Sequence, residues 1–135
     1  MLIDIDLFMI ITISGIVYAI LNLIVILFQV GLAIGMPWGA ASMGGKFPGK
    51  YPPKMRFVAL VNILLLSFFT LVVMIESGLI ISEFVIFTSY IIWVIVVFSI
   101  IGVVLNTITP SKIERIWAPL ILIQLIASLI IALNK

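Results

Sequence analysis

Hydrophobic residues run along this chain in long unbroken stretches, and the polar ones gather in the gaps. The twelve charged positions leave uncharged runs at Leu7 to Gly45, Phe57 to Ile75, Phe84 to Ser111 and Ile116 to Asn134. Each run can hold the ~20 apolar residues that span a ~30 Å hydrocarbon core. Even the shortest, Phe57 to Ile75, has Leu, Ile, Val or Phe at 14 of its 19 positions. At about 0.3 to 0.6 kcal/mol per such residue, inserting that run gains about 4 to 8 kcal/mol, which the lone Asn62 does not reverse. Lipid offers no hydrogen bonds to a backbone, so a spanning segment is a helix or part of a closed barrel, and no run shows the period-two alternation of barrel strands. The pattern predicts an all-α, polytopic membrane protein. It is an antiparallel bundle of four transmembrane helices in a single membrane domain over residues 1–135, with spans at about 7–34, 57–75, 84–107 and 113–134 and a loop at 35–56.

The first run is longer than a bilayer needs. Pro37 and the five glycines from Gly35 to Gly49 place the end of helix 1 near Ile34. Helix 4 has a start signal at Thr109-Pro110-Ser111, where Ser111 with Glu114 fits a capping box, and Pro119 is expected to kink it.

Charge then sets the expected orientation. Lys46, Lys50, Lys54 and Arg56 lie between spans 1 and 2, and Lys112 and Arg115 between spans 3 and 4, against Lys135 alone on the other side. Basic residues in short loops stay cytoplasmic. Loops 35–56 and 108–116 are therefore expected inside the cell (inner, cytoplasmic) membrane and both termini outside. Asp4 and Asp6 stand where a removable signal peptide would need a basic segment.

Composition narrows the chemistry. With no cysteine and no histidine, disulfides, thiolate chemistry, zinc held by those residues and an imidazole base are all excluded. A net charge of +2 confined to loops does not suit nucleic acid. No nucleophile sits beside a base, so no catalytic residue, metal site or cofactor is expected. The spans read as free of ionisable groups, which also disfavours an ion-coupled transporter. Glu76 and Glu83 flank the outer turn at Gly78; solvated helix ends are the reading preferred there over a shared cation site.

Candidate function concentrates in the segment from Gly35 to Arg56, 22 residues where two to eight would join antiparallel helices. Its aromatics and methionines want burial, so it is either a structured cap at the headgroup level or a loop folded over the mouth of the bundle. In the second case Trp38, Gly39, Gly44 and Gly45 would approach a ligand. Carboxamides recur beneath it: Gln29 and Asn22 seven apart on helix 1, Asn62 on helix 2, Asn106 on helix 3 and Gln124 on helix 4. Polar groups in hydrocarbon turn inward. Gln29, Asn62, Asn106 and Gln124 are thus either interhelical hydrogen-bond partners or the wall of a pocket for a small molecule or lipid head. Lys46, Lys50, Lys54 and Arg56 suit anionic headgroups of membrane lipids, or merely enforce topology. Gly31 and Gly35 form a GxxxG step, and Gly15 with Ala19 a second small-residue step, for close packing on a neighbour in the same chain or in a homo-oligomer.

The strings Gly35-Met36-Pro37-Trp38-Gly39, Gly44-Gly45, Phe47-Pro48-Gly49, Asn106-Thr107-Ile108-Thr109-Pro110-Ser111 and Trp117-Ala118-Pro119 together resemble a family of small, functionally uncharacterised bacterial four-helix membrane proteins. The resemblance implies that the two inner segments belong to one site and supplies no catalytic residue. The expected function is a small-molecule or lipid binding module. An accessory protein working through its helix faces is the alternative, and an oligomeric channel or transporter subunit a more distant one.

Overall fold

The computed structural model describes residues 2–134. Four helices carry the fold: α1 (Leu2–Ile34), α2 (Pro53–Glu76), α3 (Val85–Ile108) and α4 (Trp117–Leu133). Each, with the short 3-10 turn Glu114–Ile116 counted into the last, is long and apolar enough to cross a membrane. Outward side chains such as Leu64, Ile86, Phe87 and Tyr90 are exposed along the spans, an apolar surface no water-soluble monomer displays on this scale. This is a four-helix membrane protein.

Helix ends follow local chemistry. α1 begins five residues before its expected start, taking in Asp4, whose charge suits a helix N-terminus. It stops at Gly35, whose φ of 97° lets Met36 N–H reach Gly31 C=O at 2.9 Å and Gly35 N–H reach Leu32 C=O at 3.3 Å, the reversal that satisfies terminal carbonyls. Pro53 opens α2 where a missing N–H costs nothing. Pro110 stops α3 two residues after Ile108, because the residue before a proline is pushed to extended backbone, here Thr109 with ψ 141°.

Helix 4 departs from expectation. Regular α-helix begins only at Trp117, after the 3-10 turn, so Pro119 sits in the first turn, where no intrahelical N–H is needed and no kink follows. The capping box is half formed. Ser111 Oγ accepts from Glu114 N–H at 3.4 Å, but the Glu114 carboxylate turns to another loop.

Packing follows a square, with α1 against α2 and α4, α3 against α4 and more lightly α2, and α1 across the diagonal from α3. Gly15 is where α1 comes closest to the α2 to α3 turn, since a Cβ there would meet Ser77 Oγ at 2.1 Å. One core, at the end that holds this turn, joins Tyr18, Phe69, Val72, Val73, Ile92, Ile95, Val96, Ala127, Ile131 and Ala132. A smaller one, Leu32, Tyr51 and Ala59 with Phe28, Phe47 and Met55, lies at the other end, under the long loop.

Candidate functional site

The long loop folds back on itself because its glycines permit backbone-to-backbone contact. Gly39 N–H donates to Gly49 C=O at 2.8 Å, and a Cβ on Gly39 would stand 1.8 Å from Phe47 C=O. Two short 3-10 turns, Gly39–Ala41 and Met43–Gly45, carry the chain over the bundle. Met43, Gly44 and Gly45 all have positive φ, and for Met43, at 50°, that conformation is costly.

Aromatic contacts fix the loop to α1. The Trp38 ring covers Gly31, where a Cβ would meet it at 1.9 Å, and stacks on Phe28 with centroids 6.1 Å apart. Phe28 in turn meets Trp117 at 4.8 Å. The GxxxG step therefore receives a side chain of its own loop at Gly31, while Gly35 lies past the helix end and faces Lys50 of the loop and the Arg56 guanidinium of α2. Gly15 does make the close approach expected of a small residue, against Ser77.

The second loop, 109–116, is tied to the first by three bonds. Ser111 Oγ donates to Ala40 C=O at 2.5 Å, Trp117 Nε1–H to Ala41 C=O at 3.0 Å, and Gly44 N–H to the buried Glu114 carboxylate at 2.9 Å. A bond to a carboxylate is about twice as strong as a neutral one, so the Gly44 contact is the firmest of the three. A Cβ on Gly45 would stand 3.1 Å from Ser111 Cβ. Tyr51 bonds the Ser42 hydroxyl. Burial pushes the Tyr51 phenol above its ordinary range and the Glu114 charge pushes it further, against the opposing effect of the Ser42 bond.

Beneath this double loop lies a cavity of about 770 Å³, within the ~300 to 1,000 Å³ typical of small-molecule sites. Val25, Phe28, Leu105, Ile108 and Ile121 give it apolar walls, and Gln29, Asn62, Asn106, Thr109 and Ser42 polar points. Gln29 Oε1 is buried there without a hydrogen-bond partner. Asn106 donates to Gly102 C=O of its own helix at 2.7 Å, which leaves its carbonyl oxygen free, and among the described residues the Asn62 side chain has no hydrogen-bond partner.

Three expected carboxamides, Gly44 and Lys46 thus border one space, and the other candidates lie elsewhere. Gln124 points to a deeper network. It donates to Asn22 Oδ1 at 3.2 Å, while Asn22 donates to Leu66 C=O and Thr70 Oγ1, both at 2.8 Å. Trp38 and Gly39 hold the loop together from outside the cavity, and Gly45 backs onto Ser111. Of the basic residues, Lys46 borders the cavity and Lys50 and Lys54 are exposed. Arg56 instead donates to Ala33 C=O at 2.8 Å and caps α1.

Some residues of the site went unmarked in sequence. Ser42 and Tyr51 are ordinary loop residues by composition, Thr109 reads only as part of the helix 4 start signal, and Glu114, the lone acid of the basic loops, only as half of a local cap. Glu76 reverses an expectation outright. It is fully buried, not solvated, with Oε1 accepting from Thr88 Oγ1 at 2.6 Å, whereas Glu83 is exposed. The helix end was visible in sequence, but not the direction in which its last side chain turns.

Fold and site together define a four-span membrane protein whose two loops at one end form a single cap over a largely apolar cavity that carries a few polar groups. Comparisons with protein-family models, with curated proteins and with solved structures found no match for this chain.

Proposed function

We propose that this protein is a membrane-embedded binding module that holds a small molecule or lipid in the capped cavity. The observation that carries the reading is Gln29, whose Oε1 is a buried acceptor without a partner among the described residues, and which borders the same space as Asn62 and Asn106. Leaving such a group unmade costs about 1 to 3 kcal/mol, which a donor on a ligand would recover. The ligand this lining suits has an apolar body against Phe28, Leu105 and Ile121 and a hydrogen-bonding head among the carboxamides. Lys46 at the rim, with Lys50 and Lys54 nearby, would attract an anionic headgroup at about 1 kcal/mol each.

Thermal unfolding of the purified protein against lipid extracts and a metabolite panel tests this. A ligand at 100 times its Kd adds about 2.7 kcal/mol, and Asn62→Leu should abolish that stabilisation while leaving the unliganded melt close to wild type, since the Asn62 side chain has no hydrogen-bond partner among the described residues. Every response surviving in Asn62→Leu would refute the site.

The double loop is proposed to face the cytoplasm, on the strength of six basic residues there against Lys135 on the other side. The chain lacks cysteine, so one can be placed at Ile81, 99% exposed, and one at Pro48. An impermeant thiol reagent on intact cells should label Ile81→Cys and spare Pro48→Cys; the opposite pattern overturns the orientation.

A further inference from the structure

At the opposite end of the bundle, Glu76 closes α2 with no exposure at all. Thr88 satisfies its Oε1, but Oε2 is buried without a hydrogen-bond partner. Thr12 Oγ1, on the face of α1 that also carries Phe8, is a second buried oxygen at this end without a partner. A carboxylate oxygen out of water and unpaired is among the costliest groups a fold can hold. Such a group within a membrane protein marks a site until shown otherwise.

Glu76 borders a separate cavity of about 330 Å³, far from the capped one, lined also by Asp4, Leu7, Phe8, Ile11, Ser77, Gly78 and Asn134. Its polar side is made of acceptors. Asp4 and Glu76 are carboxylates, and Asn134, whose amide N–H donates to Ile130 C=O at 2.7 Å, has no partner for its oxygen among the described residues. Among the described residues no basic side chain borders the cavity. Leu7, Phe8 and Ile11 form an apolar wall along one face of α1.

We propose that this outer cavity binds a primary alkylammonium ion. The three N–H donors of such a group equal in number the three acceptor residues Glu76, Asp4 and Asn134, and its alkyl part suits the α1 wall of Leu7, Phe8 and Ile11. A metal ion fits less well. No group of three or more Asp, Glu, His or Cys occurs among the described residues, and hard divalent cations take six or more oxygens in a tight shell.

The test is calorimetric titration of the full chain in detergent with n-butylammonium chloride, and with tetramethylammonium, sodium and calcium chlorides as comparators. Saturable binding of n-butylammonium alone is expected, weakened at least tenfold by Glu76→Gln. Asp4→Asn, at an exposed position that carries no part of the core, should also weaken it several-fold, which separates binding from any folding defect of Glu76→Gln. Lys135→Met, which removes the amine next in sequence to Asn134, should bind as wild type. Four results would each overturn the proposal: calcium or sodium binding in place of the amine, equal binding of tetramethylammonium, unchanged affinity in both carboxylate variants, or binding seen only in Lys135→Met, which would make the chain's own lysine the occupant.

Discussion

The two ends of this bundle are built from the same four helices and solve opposite problems. At the end with the short turn, branched aliphatics meet. Val72, Val73, Ile92, Ile95 and Ile131 are almost wholly buried against one another, at the close packing usual for protein interiors. At the other end the helices present Gln29, Asn62 and Asn106 across a cavity, and stability there is supplied from above by two loops bound to each other. Asn22 and Gln124 mark the boundary, where carboxamides still bond between helices instead of facing open space. The lesson is one of division: a core that sets the fold, and a capped end freed from packing duty so that its polar groups remain available.

Gly39→Ala should break this comparison most severely. Its Cβ would meet backbone, Phe47 C=O at 1.8 Å and Gly49 C=O at 2.7 Å, and backbone cannot swing aside as a flexible side chain can. A loss near the top of the usual range, about 3 kcal/mol, is expected. It should be confined to the capped end, with Trp38 and Trp117 fluorescence shifting toward that of exposed indoles while helical circular dichroism persists. Gly44→Ala is the matched control. Its φ of 66° is unfavourable but nothing lies within 4 Å, so a cost of about 1 kcal/mol should suffice. Equal melts for the two variants would mean that the crossing of the loop arms contributes nothing to the cap.

How far all this could be read from the sequence differs between the same two ends. The spans were legible because charges are excluded from hydrocarbon, so that Arg56 and Glu76 bracket the apolar run of α2 on composition alone, although the helix itself starts a turn earlier at Pro53. Spacing also placed Asn22 and Gln29 on one face of α1. It could not give the relative register of helices, and register decides that Asn22 meets Gln124 while Gln29 meets none. Nor could local patterns foresee long-range uses of local signals. Gly31 looked like a helix-packing step and serves as the bed for Trp38, seven residues on. Glu114 looked like half of a capping box and reaches instead to Gly44, 70 residues away in sequence. Such pairings depend on the path of a glycine-rich loop, which hydrophobic periodicity does not encode.

Tyr51 offers the finest probe of the capped end, because a proton there reports on how firmly the two loops meet. Its phenol is raised chiefly by burial and secondarily by Glu114. A group whose folded value lies above its unfolded one adds stability that is complete below the unfolded value, about 10 for tyrosine, and lost as pH climbs through the folded value. The cap should therefore loosen in alkaline solution above that ordinary value, seen as a change in tryptophan emission before the helices melt. Tyr51→Phe has no proton to lose and should not show the step. Glu114→Gln removes the secondary cause but leaves burial in place, so the step should survive and move only slightly to lower pH. A step that persists in Tyr51→Phe would assign the alkaline change to other groups, and one that moves upward in Glu114→Gln would contradict the placement of that carboxylate beside the phenol.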